Sequence, residues 1–225
     1  MPVNKTSVKG ITIHWIGHST VGIYGEKTVY FDPFMEVLQG DEKTADLIVS
    51  SHGHRDHFDV AAINKLSDQD TTVILTPGCS VGDLVSKKFK VVANGESITI
   101  DDIEIKTVPA YNVKRFRSPG TPFHPEGFGM GVVLTMEGIK LYYAGDTDFI
   151  DPMKELAQAH IDVAFLPIGG TYTMDIDEAV EAVKAIQPGV VIPVHFNHIK
   201  STEADPQDFK QKINQVSQAE VIILQ

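Results

Sequence analysis

The sequence predicts an α/β protein built as two similar halves, each a mixed sheet covered by helices. Three observations carry this expectation. The chain opens with short segments that alternate apolar and polar residues between glycine turns, the pattern of an antiparallel meander. Strands and helices then alternate, which builds a mixed sheet with helices on one side. The second half of the chain repeats this plan after an irregular stretch in the middle.

Taken in order, Ile11 to Trp15, Val21 to Tyr24 and Thr28 to Phe31 are the meander strands, with turns at Gly17 and at Gly25-Glu26. Leu47 begins a buried strand that runs into a glycine-containing turn. Val60 to Leu66 reads as a short helix, Val73 to Leu75 as a strand broken by Pro77-Gly78, and Val81 to Lys87 as a helix. Short strands follow at Lys90–Val92, Ser97–Ile100 and Ile103–Pro109. Tyr111 to Gly127 has three prolines and no periodicity, which marks a functional or disordered stretch.

The second half opens with a hairpin, Gly129 to Met136 and Ile139 to Ala144, around Glu137-Gly138. Ile150 to His160 is expected as an amphipathic helix with Met153, Leu156 and Ala157 buried. Val163–Pro167 and Val190–Val194 are strands on either side of a helix at Asp175 to Ile186. A last helix, Asp205 to Val216, precedes a last strand, Val221–Leu224.

A length of 225 residues suits one domain spanning 1–225, large enough to bury a core. Hydrophobic residues make up 42% and charged residues 22%, as in ordinary soluble proteins. The formal charge of −11 argues against general binding to nucleic acid or to an anionic membrane. Cys79 is the single cysteine, so no internal disulfide forms and a reducing compartment is expected. The opening residues carry no apolar signal region and no run of apolar residues is long enough to span a bilayer, so the expectation is a cytoplasmic protein. A homo-oligomer is compatible with all of this.

The chemistry concentrates in Leu-Ile-Val-Ser-Ser-His-Gly-His-Arg-Asp-His-Phe, from Leu47 to Phe58. His52, His54, Asp56 and His57 fall within six residues, and imidazole and carboxylate are the ligands that zinc prefers. In an extended segment His52 and His54 point the same way, while Asp56 and His57 come one turn later. One loop therefore offers ligand pairs to two metal positions. A polar surface loop that merely happens to hold three of the nine histidines is the weaker reading.

This pattern after an apolar strand resembles the signature of the metallo-β-lactamase fold hydrolases. Trp15-Ile16-Gly17-His18-Ser19 and Asp32-Pro33 also resemble the N-terminal pattern of the small stand-alone members, metal-dependent hydrolases of uncharacterised substrate. The resemblance implies a four-layer αββα sandwich. It also places His18 and Asp32 near the metal loop, facing substrate or orienting ligands.

Asp146, in Gly145-Asp146-Thr147, stands at the C-terminal end of a strand, where α/β folds place chemistry, and Asp148 reads as a helix N-cap. The matching Gly-Asp-Thr of the family implies that Asp146 bridges two metals. His195 ends an apolar strand and matches the family's late histidine, which shares the second metal position with Asp56 and His57. In many members a third histidine for the first position follows the strand matching Ile103–Pro109. Here Asn112 stands in that neighbourhood, and His124, in His-Pro-Glu-Gly-Phe-Gly, is expected to serve instead, with Asn112 as the alternative. His14, His160 and His198 read as structural or solvent-exposed.

The expected activity is hydrolysis at a dinuclear site of two divalent ions, zinc first, with Mn2+, Ni2+ or Fe2+ as alternatives. Asp56 would ligate and orient the attacking water, and His18 would donate a proton or hydrogen bond. No Gly-x-Ser-x-Gly elbow occurs. Lys114, Arg115 and Arg117 put three cations within four residues of a strongly acidic chain, pointing to an anionic small molecule or a phosphodiester as substrate. The competing reading of that run is a solvated surface loop. Esters, lactones and thioesters are the alternative substrates. An iron-containing redox or metal-responsive protein is the reading from another class. A non-catalytic binding module fits less well, because the ligand set is intact.

Overall fold

The computed structural model describes residues 3–82, 84–86 and 88–225. The chain forms two compact units, Met1–Ala93 with Leu224–Gln225, and Asn94–Ile223.

In the first unit a seven-stranded sheet runs in sequence order: β1 (Lys5–Val8), β2 (Ile11–Gly17), β3 (Thr20–Tyr24), β4 (Thr28–Phe31), β5 (Leu47–Val49), β6 (Thr72–Leu75) and β7 (Lys88–Val91). The first four strands pair antiparallel and the last four parallel, so β4 belongs to both patterns. Strands β4 and β5 are buried along their whole length. That is why they read as continuous apolar runs rather than as alternations. Helix α1 (Val60–Leu66) lays Ile63 and Leu66 against Tyr30, Ile48, Val73 and Leu75 of the sheet. It begins where Asp59 accepts hydrogen bonds from the N–H groups of Ala61 and Ala62.

The second unit holds another seven-stranded sheet and a small hairpin. Its strands are β8 (Ser97–Ile100), β9 (Ile103–Ala110), β12 (Gly129–Met136), β13 (Ile139–Tyr143), β14 (Val163–Pro167), β15 (Val190–Val194) and β16 (Glu220–Val221), in the order β16-β15-β14-β13-β12-β9-β8. Again one end is antiparallel and the other, from β13 to β16, parallel. Helices α2 (Ile176–Ile186) and α3 (Pro206–Val216) supply the connections between parallel strands. Asp175 and Glu178 form a capping box at the start of α2. The hairpin β10 (Phe116–Ser118) and β11 (Thr121–Pro122) lies inside the stretch that read as irregular.

Two expected helices differ. Asp151–Ala159 is a 3-10 helix rather than an α-helix, with Met153 and Leu156 buried as expected and Ala157 only half-buried. At three residues per turn, side chains three apart line up, which suits this pair. Among the described residues of the segment 81–87 there is no helix, and Asp83 and Lys87 lie outside them. Asn64 accepts from the Val85 N–H and Ser86 donates to the Thr71 carbonyl, tying this short, glycine-containing segment down as a connector.

Candidate metal-binding residues

In the first unit, the parallel pairing of β4 with β5 sets Phe31 beside Val49, so the residues that leave both strands emerge together. Asp32 follows β4 and Ser50-Ser51-His52 follow β5. The β2–β3 turn reaches the same end: the Thr20 hydroxyl donates to the Asp32 carbonyl, and Phe34 N–H donates to that hydroxyl. His18 sits in this turn at φ 50°, and Asp32 lies at φ 43°. Left-handed backbone costs a non-glycine residue about 1–3 kcal/mol and tends to mark functional positions. The Trp15 indole N–H holds the His18 carbonyl at 2.9 Å.

Beyond His52 the chain passes Gly78 closely. A Cβ at Gly53 would lie 2.8 Å from the Gly78 carbonyl oxygen, so glycine is required there. The His54 carbonyl then accepts from both His57 and Phe58 N–H, which closes the turn that carries Asp56 and His57.

These side chains converge. His52 Nε2 and His54 Nδ1 are 3.0 Å apart. His18 Nε2 and His57 Nε2 lie 3.0 and 3.4 Å from one carboxylate oxygen of Asp56. His18, His57, His52 and Asp32 are buried. Asp32 holds the arrangement in place: it accepts from Ser51 N–H and Ser51 hydroxyl, each at 2.6 Å, and its Oδ2 lies 2.6 Å from His57 Nδ1. A carboxylate only accepts, so His57 carries its proton on Nδ1 and turns Nε2 toward Asp56. Because the Ser51 hydroxyl donates to Asp32, its oxygen receives His52 Nδ1–H at 3.0 Å. The His52 Nε2 lone pair then faces His54.

The second unit builds its set the same way, at the C-terminal ends of parallel strands. Asp146 follows β13 and His195 follows β15, the latter at φ 53°. Gly169 allows that approach, since a Cβ there would collide with the His195 carbonyl and with Thr202. His124 Nε2 and His195 Nε2 lie 3.3 and 3.2 Å from one oxygen of Asp146, and all three residues are buried. Asn112 is not part of this convergence. Its side-chain oxygen accepts from His124 N–H and faces His124 Nδ1.

Asp148 does not cap a helix. Its buried carboxylate accepts from the backbone N–H groups of Val113, Lys114 and Arg115, from the Asn112 amide and from the Arg115 guanidinium. Arg115 is largely buried, bonded also to the Gly170 carbonyl, Asp175 and Glu178. Its guanidinium is therefore engaged within the fold. Lys114 is exposed and pairs with Glu178 at 2.8 Å, which raises its pKa. Arg117 is exposed and sits over the Phe123 ring at 5.7 Å. Sequence reasoning missed Ser51 as an orienting hydroxyl and misread Asp148. The signal for Ser51 was its place directly before His52.

The Asp56 carboxylate and the lone pair on His57 Nε2, 3.4 Å apart, repel one another unless a cation lies between them. The ligand types and the fixed tautomers fit a divalent ion such as zinc. Comparison with known proteins agrees on metal dependence. The model of the beta-lactamase superfamily domain matches residues 12–195. The chain belongs to the metallo-β-lactamase superfamily. Within it, the family is that of the UPF0173 metal-dependent hydrolases. The chain is 32% identical to such a hydrolase from Pyrococcus furiosus, over 95% of this chain and 96% of that one. It is 34% identical to another from Thermoplasma acidophilum, over 90% and 91%. A crystal structure from Parabacteroides distasonis, described as a metal-dependent hydrolase, superposes with a TM-score of 0.85 at 30% identity, covering 99% of this chain and 98% of that one.

Proposed function

We propose that this metal-dependent hydrolase works with two divalent ions, zinc by preference, held by His52, His54, Asp56, His57, His124, Asp146 and His195. The observation that carries the reading is the fixing of the His57 and His52 tautomers by Asp32 and Ser51, which turns ring nitrogens toward neighbouring acceptors. When bound, the ions supply Lewis acidity, polarising a carbonyl or phosphoryl group and making water a stronger nucleophile near neutral pH. Asp56, with a carboxylate that is partly exposed, orients that water. His18, 3.0 Å from Asp56, donates a hydrogen bond or proton as charge develops on the substrate. Burial raises the pKa of the Cys79 thiol, which makes it a poorer nucleophile.

For the substrate we favour an anionic small molecule or phosphodiester over a neutral ester, lactone or thioester. Of the three cations in the 114–117 run, Arg117 is exposed and able to meet substrate, whereas Arg115 is committed to Asp148, Asp175 and Glu178. The deciding experiment is elemental analysis of the purified protein and of His54→Ala, with both screened against phosphodiester, ester, lactone and thioester chromogens. Two ions per chain, a lower metal content in His54→Ala and loss of hydrolysis in that variant are expected. Full metal content in His54→Ala would remove the loop from the metal site.

A further inference from the structure

Between β9 and β12 the chain leaves the sheet, forms the β10–β11 hairpin and returns at His124. Asn112 closes the base of this excursion. Its N–H donates to the His124 carbonyl at 2.8 Å, and its side-chain oxygen accepts from the His124 N–H at 2.8 Å. Its amide nitrogen donates to the Tyr172 carbonyl at 2.9 Å and to Asp148 at 3.1 Å. Each of these side-chain partners has a single role: a backbone N–H donates, a carbonyl and a carboxylate accept. The orientation of the Asn112 amide is thereby fixed. The same Asn112 oxygen lies 2.9 Å from His124 Nδ1, and since it only accepts, Nδ1 carries a proton. In the neutral ring Nε2 is then the lone-pair nitrogen, and it points at Asp146, 3.3 Å away.

The far end of this relay is equally firm. Asp148 is fully buried, and one of its oxygens receives three consecutive backbone N–H groups at 2.7, 2.6 and 3.3 Å. The other receives the Asn112 amide and the Arg115 guanidinium. Arg115 in turn is tied to Asp175 and Glu178 at the start of α2.

We propose that Asn112 is a positioning residue which, held by Asp148, fixes the tautomer and aim of His124 and so makes its Nε2 a metal donor. The inference rests on the reading of His124 as a ligand. It also separates the histidines by the partner behind each ring. His57 has a carboxylate, Asp32, which raises ligand basicity; His124 has a neutral amide, which does so less. The ion that His124 helps to hold is therefore the weaker-bound of the two.

The test is stepwise zinc titration of the metal-free protein against a chromophoric chelator. Wild type should bind one ion more tightly than the other. Asn112→Leu should weaken only the weaker step, by about 10–100-fold, while still reaching full occupancy at excess zinc. His124→Ala should lose the weaker ion altogether. If it retains both, the reading of His124 as a ligand falls. If it loses one while Asn112→Leu binds zinc like wild type, the ligand stands and the relay falls. Nitrogen NMR of the imidazoles in the metal-free protein reads the tautomer itself: a proton on Nδ1 of His124 is expected in wild type and a shift of that proton toward Nε2 in Asn112→Leu, which a role confined to holding the loop would not produce; the same tautomer in both proteins would overturn the proposal.

Discussion

Asp32 is buried beyond the reach of solvent and satisfied by three groups: Ser51 N–H, Ser51 hydroxyl and His57 Nδ1. Replacement by asparagine keeps the shape and inverts one end. The Ser51 N–H requires an acceptor, so the new oxygen takes that position and the new NH2 group faces His57. His57 would then have to accept at Nδ1 and carry its proton on Nε2, turned toward Asp56. Asp32→Asn should therefore lower zinc affinity by about 10–100-fold in a competition titration, more than it lowers the stability of the metal-free fold. Unchanged zinc affinity would show that the tautomer of His57 is set elsewhere. The proposed ligands His52, His54, Asp56 and His57 stand out in the sequence because one loop holds them. His124, Asp146 and His195 stand out chiefly through resemblance to a family, with the strand-end position of Asp146 as a further signal. The roles of Asn112, Asp148 and Arg115 were not, because Asp148 and Asp175 lie 33 and 60 residues from Arg115 in sequence and only the fold brings them together.

At the scale of elements, the histidine-rich loop is held between β5 and α1, and Asp59 fixes the far side. One of its oxygens caps α1 at Ala61 and Ala62, and the other accepts the Met35 N–H at 3.0 Å. Loss of such a cap costs about 0.5–2 kcal/mol, and the stranded Met35 N–H adds to it. Urea denaturation of the metal-free protein should show Asp59→Ala destabilised by about 1–3 kcal/mol and Asp59→Asn by less. Equal stability of wild type and Asp59→Ala would mean that α1 forms without its cap. The buried strands were legible as apolar runs bounded by glycine, proline or acidic turns, whereas β1, β10 and β11, short and largely exposed, carried no such signal. Helix type was not: a nine-residue segment whose buried residues are Met153 and Leu156 fits a period of 3.0 as well as 3.6. The helix expected over 81–87 is absent among the described residues, where Asn64 and Thr71, remote in sequence, hold Val85 and Ser86.

Across the whole molecule, both units follow one plan. An antiparallel meander feeds a parallel set of strands, and the C-terminal ends of that set carry Asp32 and His52 in one unit and Asp146 and His195 in the other. The opposite work, holding the meander together, falls in the first unit to a half-buried polar chain. Asn4 and Tyr24 flank the His14 ring at 3.1 and 3.2 Å, Tyr24 meets Tyr30 at 3.3 Å, and the Tyr30 hydroxyl donates to the Lys43 carbonyl. Burial lowers the His14 pKa, with Lys5 acting the same way and Asp41 and Glu42 opposing it. Burial raises the pKa of both tyrosines. The native state thus favours the neutral form of all three. For His14, the unfolded chain takes up a proton as pH falls through the ordinary histidine value of 6.5 while the folded chain does not, so its contribution is complete above that value and is lost below it. For the tyrosines the unfolded chain ionises first as pH rises through 10.0, so their contribution is lost on the alkaline side. Stability of the metal-free protein should therefore fall on both flanks of a neutral plateau. His14→Gln, which has no proton to gain, should flatten the acid flank by at most about 1.4 kcal/mol per pH unit and leave the alkaline flank as it was. Every other ionisable group is common to the two proteins and cancels in the difference. Parallel acid flanks for wild type and His14→Gln, measured by urea denaturation between pH 5 and 8, would show that this buried histidine is not what makes the meander sensitive to acid.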